Sequence, residues 1–148
     1  MRRARTSAAG LYAKAGKLKY CYNVAGVHYF YIESAEALPA GEHQVRMEFA
    51  YAGGGLGKGG KVTLCVDAKQ VGEGTVPMTQ AMVFSADDGC DVGEDSGAPV
   101  SQDHGSRGNG FNGRVNGVRL AIDDAAEPGS PRLTGGCCPH RYGTAVIN

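Results

Sequence analysis

Three groups of residues have types and spacing that invite chemistry. Asp87, Asp88, Asp91, Glu94, Asp95 and Asp103 gather hard oxygen ligands in one stretch, and a calcium ion needs six to eight of them. Their spacing departs from the EF-hand pattern. The ordinary reading is a solvated surface loop, with calcium as its one conceivable cofactor. The run Gly53-Gly54-Gly55-Leu56-Gly57-Lys58-Gly59-Gly60-Lys61 has the composition of a phosphate cradle. It lacks the Gly-Lys-Ser/Thr ending, and it links two strands with no helix N-terminus to hold a phosphate. His28, His43, His104 and His140 are scattered, and no Gly-x-Ser-x-Gly elbow accompanies them, so a Ser-His-Asp arrangement has no visible nucleophile.

A fourth string is Cys137-Cys138-Pro139-His140-Arg141. Its C-x-P-x-R pattern resembles the core of the sulfatase signature, in which a cysteine becomes formylglycine. The residues that follow, Tyr142 to Ile147, do not complete that signature. A formylglycine hydrate also needs a metal held by carboxylates and amides, and cationic groups around the sulfate. Only seven residues follow Arg141 to supply them. We therefore expect no catalytic, cofactor-binding or metal-binding residues.

The elements that would position these groups are short and extended. Leu11 to Asn23 predicts a hairpin turning at Lys14-Ala15-Gly16-Lys17, and Val27 to Ile32 predicts a strand rich in aromatic and β-branched residues. Ala35 to Glu42 reads as a loop. His43 to Tyr51 alternates, with Val45, Met47, Phe49 and Tyr51 on a buried face and Gln44, Arg46 and Glu48 on a wet one. Ala52 to Lys61 reads as a flexible connection, Val62 to Val66 as a strand, Asp67 to Gln70 as a turn and Val71 to Val76 as a strand. Met78 to Ser85 is ambiguous. A long polar loop follows from Ala86 to about Gly110, then a last strand between Gly113 and Asp123. Short strands at roughly ten-residue spacing with glycine-rich turns indicate an antiparallel sandwich.

Composition sets the outer limits. A chain of 148 residues suits one domain. Fifteen basic residues balance fifteen acidic ones, which argues against nucleic acid, an anionic membrane or a polyanionic substrate as partner. The 24 glycines exceed the usual share of about 7% and follow no three-residue period, so they read as turns. No apolar run approaches the ~20 residues of a membrane span, and no apolar h-region follows the basic start. Cys21, Cys65, Cys90, Cys137 and Cys138 are odd in number without a C-x-x-C pair, which suggests a reduced, by default cytoplasmic, setting. Cys21 and Cys65 read as small strand or core residues.

Three segments carry a resemblance. Leu11-Tyr12-Ala13-Lys14-Ala15-Gly16-Lys17-Leu18-Lys19-Tyr20-Cys21-Tyr22-Asn23 comes first. Leu38-Pro39-Ala40-Gly41-Glu42-His43-Gln44-Val45-Arg46-Met47-Glu48-Phe49-Ala50-Tyr51 is followed by Gly53 to Gly60. Phe84-Ser85-Ala86-Asp87 then precedes Asp91-Val92-Gly93-Glu94-Asp95-Ser96-Gly97-Ala98-Pro99-Val100. In this order they are similar to the C-terminal region of bacterial-type arylsulfatases, over roughly residues 11–123. The resemblance implies a jelly-roll or concanavalin-like β-sandwich, shortened at its N-terminal strands, that packs against a separate catalytic domain of the sulfatase.

Residues 1–10 and 124–148 fall outside the resemblance, and the Pro-, Gly- and Cys-rich tail is expected to lack order. We expect a non-catalytic accessory domain or fragment, with unpaired sheet edges open to self-association. The alternative is a stand-alone carbohydrate-binding module presenting Tyr12, Tyr20, Tyr22, Tyr29, Tyr31 and Tyr51.

Overall fold

The computed structural model describes residues 7–81, 90–121 and 144–147, the last four by backbone alone. The described residues form eight strands and no helix: β1 (Ala8–Lys14), β2 (Lys17–Val24), β3 (His28–Ala37), β4 (His43–Tyr51), β5 (Lys58–Val66), β6 (Lys69–Met78), β7 (Val115–Arg119) and β8 (Thr144–Ile147). Every pairing is antiparallel. The strands make two sheets, in the orders β1-β2-β3 and β6-β5-β4-β8-β7. The fold is an all-β antiparallel sandwich.

Tight turns set the hairpins. Ala15 and Gly16 both take positive φ between Lys14 and Lys17, as do Asp67 and Ala68 between Val66 and Lys69, which is the mirror-image turn whose twist matches that of paired strands. The β2–β3 connection uses Ala25 and Gly26 in the same region, with Asn23 Oδ1 accepting the Gly26 N–H at 2.8 Å. Ser34 repairs the β2–β3 ladder where its register slips between Lys17 and Lys19. Its hydroxyl accepts the Leu18 N–H at 3.1 Å and donates to Glu36 O at 2.7 Å.

Leu18, Tyr20, Tyr22 and Ile32 from the three-stranded sheet meet Val45, Val62, Leu64, Val66 and Val76 from the five-stranded one, forming the core. The two sheets come closest along β3 and β6. A Cβ on Gly72 would stand 2.7 Å from Glu33 O, and one on Gly74 would stand 2.6 Å from Ile32 Cγ1. Gly72 needs glycine because another backbone occupies the space of a side chain, and Gly74 because the Ile32 side chain does.

Several expectations are corrected. β3 runs on through Ala37, so the loop expected from Ala35 begins only at Leu38. The connection expected from Ala52 to Lys61 stops at Gly57, because Lys58, Gly59 and Gly60 already belong to β5. Gly59 and Gly60 are buried strand residues whose missing side chains admit β6 and β4: a Cβ on Gly59 would overlap Val76 O, and one on Gly60 would overlap Ala50 O and stand 2.8 Å from Phe49 Cζ. The turn expected over Asp67 to Gln70 contracts to two residues.

β6 extends through Pro77, which an edge strand tolerates. On β4, Glu48 is buried at 3% exposure, with Arg46 Nε 3.1 Å from its Oε1, whereas Tyr51 is exposed. The face expected to be wet is therefore covered at Glu48. Of the strand expected between Gly113 and Asp123, the described residues form Val115–Arg119, Ile122 and Asp123 lying outside them, and the C-terminal tail contributes β8, which sits between β4 and β7. Its Thr-Ala-Val-Ile sequence is β-favouring but too short to signal a strand by alternation.

Candidate functional site

The largest assembly of polar and titratable groups among the described residues lies on the outer face of the three-stranded sheet. Alternation puts Tyr12, Lys19 and Glu33 in one row across β1, β2 and β3. Lys19 Nζ lies 2.9 Å from Glu33 Oε2 and 3.2 Å from Asp103 Oδ2, and Lys17 Nζ lies 3.0 Å from Glu33 Oε1. Lys14 Nζ donates to the Asp103 carbonyl oxygen. Asp103 belongs to the segment 90–113, which folds over this face.

Ser101 joins the segment to the sheet. It is 2% exposed. Its hydroxyl pairs with Tyr12 OH at 2.9 Å and accepts the Asp103 N–H at 3.0 Å. Tyr12 OH also reaches Asp103 Oδ2 at 2.8 Å, Tyr31 OH accepts the Gln102 N–H at 3.1 Å, and Val100 closes over Gly10. The Cys21 thiol points at Val100 O, 3.5 Å away.

The segment is also cross-braced internally. Asp91 Oδ2 accepts both the N–H and the hydroxyl of Ser96. Asp95 Oδ2 accepts from Val100 N and from His104 Nε2 at 2.8 Å. Asn109 exchanges hydrogen bonds with the Asp95 backbone, and the His104 ring meets Tyr12 edge-on at 5.3 Å between centroids.

The electrostatics follow from these contacts. The Tyr12 hydrogen bond, with Lys19 behind it, holds the Asp103 carboxyl below its usual range, and Lys19 does the same to Glu33. Glu33 and Asp103 raise Lys19 in turn. Burial pushes the Tyr12 phenol up, and it pushes the Cys21 thiol up to about 11. A thiol so raised stays protonated at neutral pH and is a poor nucleophile. Ser101 is equally quiet: its neighbours are phenols and an amide, while His104 Nε2 is turned to Asp95. The arrangement is a clasp of charge and hydroxyl groups that fixes a long loop.

Of the acidic residues weighed for calcium, Asp91, Asp95 and Asp103 spend carboxylate oxygens on these internal partners. Glu94 is exposed, and Asp87 and Asp88 lie outside the described residues. Among the described residues no group of three or more His, Cys, Asp or Glu side chains is gathered around a common point. Cys137 to Arg141, with His140, also lie outside them. Cys21 and Cys65 are buried, as their strand setting predicts, and Cys90 is exposed.

The other two described histidines stand apart from the clasp. His43 Nδ1 lies 2.5 Å from Asp67 Oδ2 and its Nε2 lies 3.2 Å from Ala40 O. His28 stacks on Phe30, 6.4 Å between centroids. Two shallow clefts flank the Leu38-Pro39 turn, of about 380 Å³ and about 240 Å³. The larger lies between the β1–β2 turn, His43 and Phe111.

The described tyrosines fall into four settings. Tyr20 and Tyr22 are core residues. Tyr12 is committed to the clasp, and Tyr51 OH bonds Gly55 O and Lys58 N across the glycine turn. Tyr29 and Tyr31 stack at 6.4 Å and 12° on the outer face of β3.

Ser101, Lys19 and Glu33 were not distinguished by the sequence. The two lysines at Lys17 and Lys19, on alternate positions of a strand otherwise buried, are the one sequence signal of a charged face there. The chain matches no protein-family model, no curated protein and no solved structure.

Proposed function

We propose that this chain is a non-catalytic accessory domain, or a fragment, of an arylsulfatase-type hydrolase, whose task is to pack on the catalytic domain and shape access to its substrate. The observation that carries the reading is the ordered set of three similar segments, Leu11 to Asn23, Leu38 to Gly60 and Phe84 to Val100. Their described residues do architectural work. Ala15 and Gly16 make a turn, Gly59 and Gly60 let strands approach, and Asp91 and Asp95 brace a loop. Such roles support a structural part better than a reaction centre. The finer topology we propose is a jelly-roll or concanavalin-like sandwich.

The test has two arms. The purified chain is assayed with a chromogenic aryl sulfate, and it is mixed with a separately produced arylsulfatase catalytic domain in a sedimentation or calorimetric titration. No hydrolysis together with association supports the reading. Hydrolysis abolished by Cys137→Ser overturns its non-catalytic half, and absence of association overturns its docking half.

A second reading has one observation in its favour. The Tyr29 and Tyr31 rings form a near-parallel pair at the surface, a geometry suited to the faces of sugar rings. A glycan array with the wild type and with Tyr29→Ala separates a carbohydrate-binding module from the accessory domain.

A further inference from the structure

The two sheets end in four strands, β1, β3, β6 and β7, and three of them carry features that block a further strand. β3 and β6 lie against each other where the sheets close, with Gly72 under the Glu33–Ser34 backbone. β6 also lacks a donor at Pro77, and its ladder with β5 shifts between Leu64 and Cys65. β7 has five residues, ends in Arg119, and is interrupted by a register shift between Val115 and Gly117. Short length, bulges, proline and terminal charge are the standard protections of a sheet edge.

β1 has none of them within its span. Its seven residues pair with β2 without a register shift, contain no proline, and carry a single charge, Lys14, at the end. Among the described residues no strand pairs with its outer side.

We propose that β1 is the interface through which two copies of this chain associate, antiparallel, about a two-fold axis at Leu11. The strand is self-complementary in that register. Leu11 opposes Leu11 of the second copy on the core side, continuing the apolar layer that Leu11 already joins. Tyr12 opposes Gly10 on the outer face, each keeping its own contacts with Ser101, Asp103 and Val100. Ala9 opposes Ala13, and Lys14 opposes Ala8. The two Lys14 ammonium groups are then six residues apart along the strand, about 20 Å, well past the ~8 Å screening length at physiological salt. The pairing joins two three-stranded sheets into one of six strands, and the two-fold axis closes the assembly at a dimer.

Ala9 and Ala13 flank Leu11 on the core-facing side of β1 but are themselves exposed, so charge placed there tests the register while every buried core residue is kept. Sedimentation and light scattering of the full chain, up to about 1 mM, the weak end of specific association, are expected to show a monomer–dimer equilibrium. Ala9→Lys with Ala13→Lys sets like charges opposite each other twice and is expected to weaken dimerisation at least tenfold. Ala9→Lys with Ala13→Glu sets opposite charges together and is expected to restore it. Circular dichroism melts show whether each variant is folded, and the mixed-charge variant carries the same number of substitutions. A wild type monomeric throughout, a dimer indifferent to the double lysine, failure of the mixed pair to restore it, or an open series of larger species would each overturn the proposal.

Discussion

Replacing Gly59 by alanine is a sharp test of the idea that the glycine-rich segment is built for strand packing. A Cβ there would overlap Val76 O and stand 2.6 and 2.7 Å from the Pro77 carbonyl carbon and oxygen. Unstrained C···O contacts run at about 3.3 Å or more, so β6 must retreat by more than an ångström at Val76 O. That movement draws on Val76, a core residue with no exposure. Overpacking of this kind costs roughly 1–3 kcal/mol, and rigid backbone on the opposing side argues for the upper end.

Two other glycines calibrate the result. Gly54 has open space but φ of +77°, so alanine there costs about 1–2 kcal/mol through backbone strain alone. Gly105 has open space and no positive φ, so alanine is neutral or stabilising by up to about 1 kcal/mol. In a domain of this size 1 kcal/mol moves Tm by about 3 °C. The expected order in a thermal melt is Gly105→Ala highest, Gly54→Ala a few degrees lower, and Gly59→Ala roughly 10 °C below Gly105→Ala. A Gly59→Ala melt equal to that of Gly105→Ala would refute the close approach of β5 and β6.

Tyr12→Phe removes the hydroxyl shared by Ser101 and Asp103 and is expected to raise hydrogen exchange across residues 95–104 while leaving the β4 and β5 amides protected. Because the Asp103 carboxyl is held low, its contribution is present above the ordinary aspartate range and is lost as pH falls through the depressed value. Protection of the same segment, taken relative to the intrinsic exchange rate at each pH, should therefore fall in acid, and Asp103→Asn should remove that dependence. His43 faces oxygen acceptors with both ring nitrogens, and Asp67 raises its pKa. Its contribution is full below about 6.5 and is lost as pH rises through the elevated value. NMR titration of the ring is expected to show a midpoint above that of a free imidazole. Ala68 takes positive φ without the tolerance of glycine, so Ala68→Gly is expected to stabilise by about 1 kcal/mol, read in denaturant melts.

The hairpins were legible because their signals are local. Alternation through Leu18, Tyr20 and Tyr22 found the core side of β2, and Ala15-Gly16 found its turn. What escaped depends on residues distant in sequence. Gly59 and Gly60 read as loop residues because nothing near them shows that β6 and β4 occupy their side-chain space. Glu48 read as wet by alternation, although only the assembled fold decides which face is covered. The clasp joins Tyr12 to Ser101 and Asp103 across about ninety positions, and no periodicity links residues so far apart.

The pairing of β4 with β8, in which His43 stands opposite Ile147, also sets a timetable for assembly. Strands β1 to β3 and strands β4 to β6 each form successive hairpins whose partners are close in sequence, and hairpins form in microseconds. Bringing β8 to β4 closes a loop of roughly a hundred residues, an entropic cost met before any contact rewards it. Since β7 reaches the sheet only through β8, one late docking event carries both strands. Refolding should thus proceed at two speeds, with β4 briefly a sheet edge in the interval, and the molecule's susceptibility to misassembly is concentrated in that window.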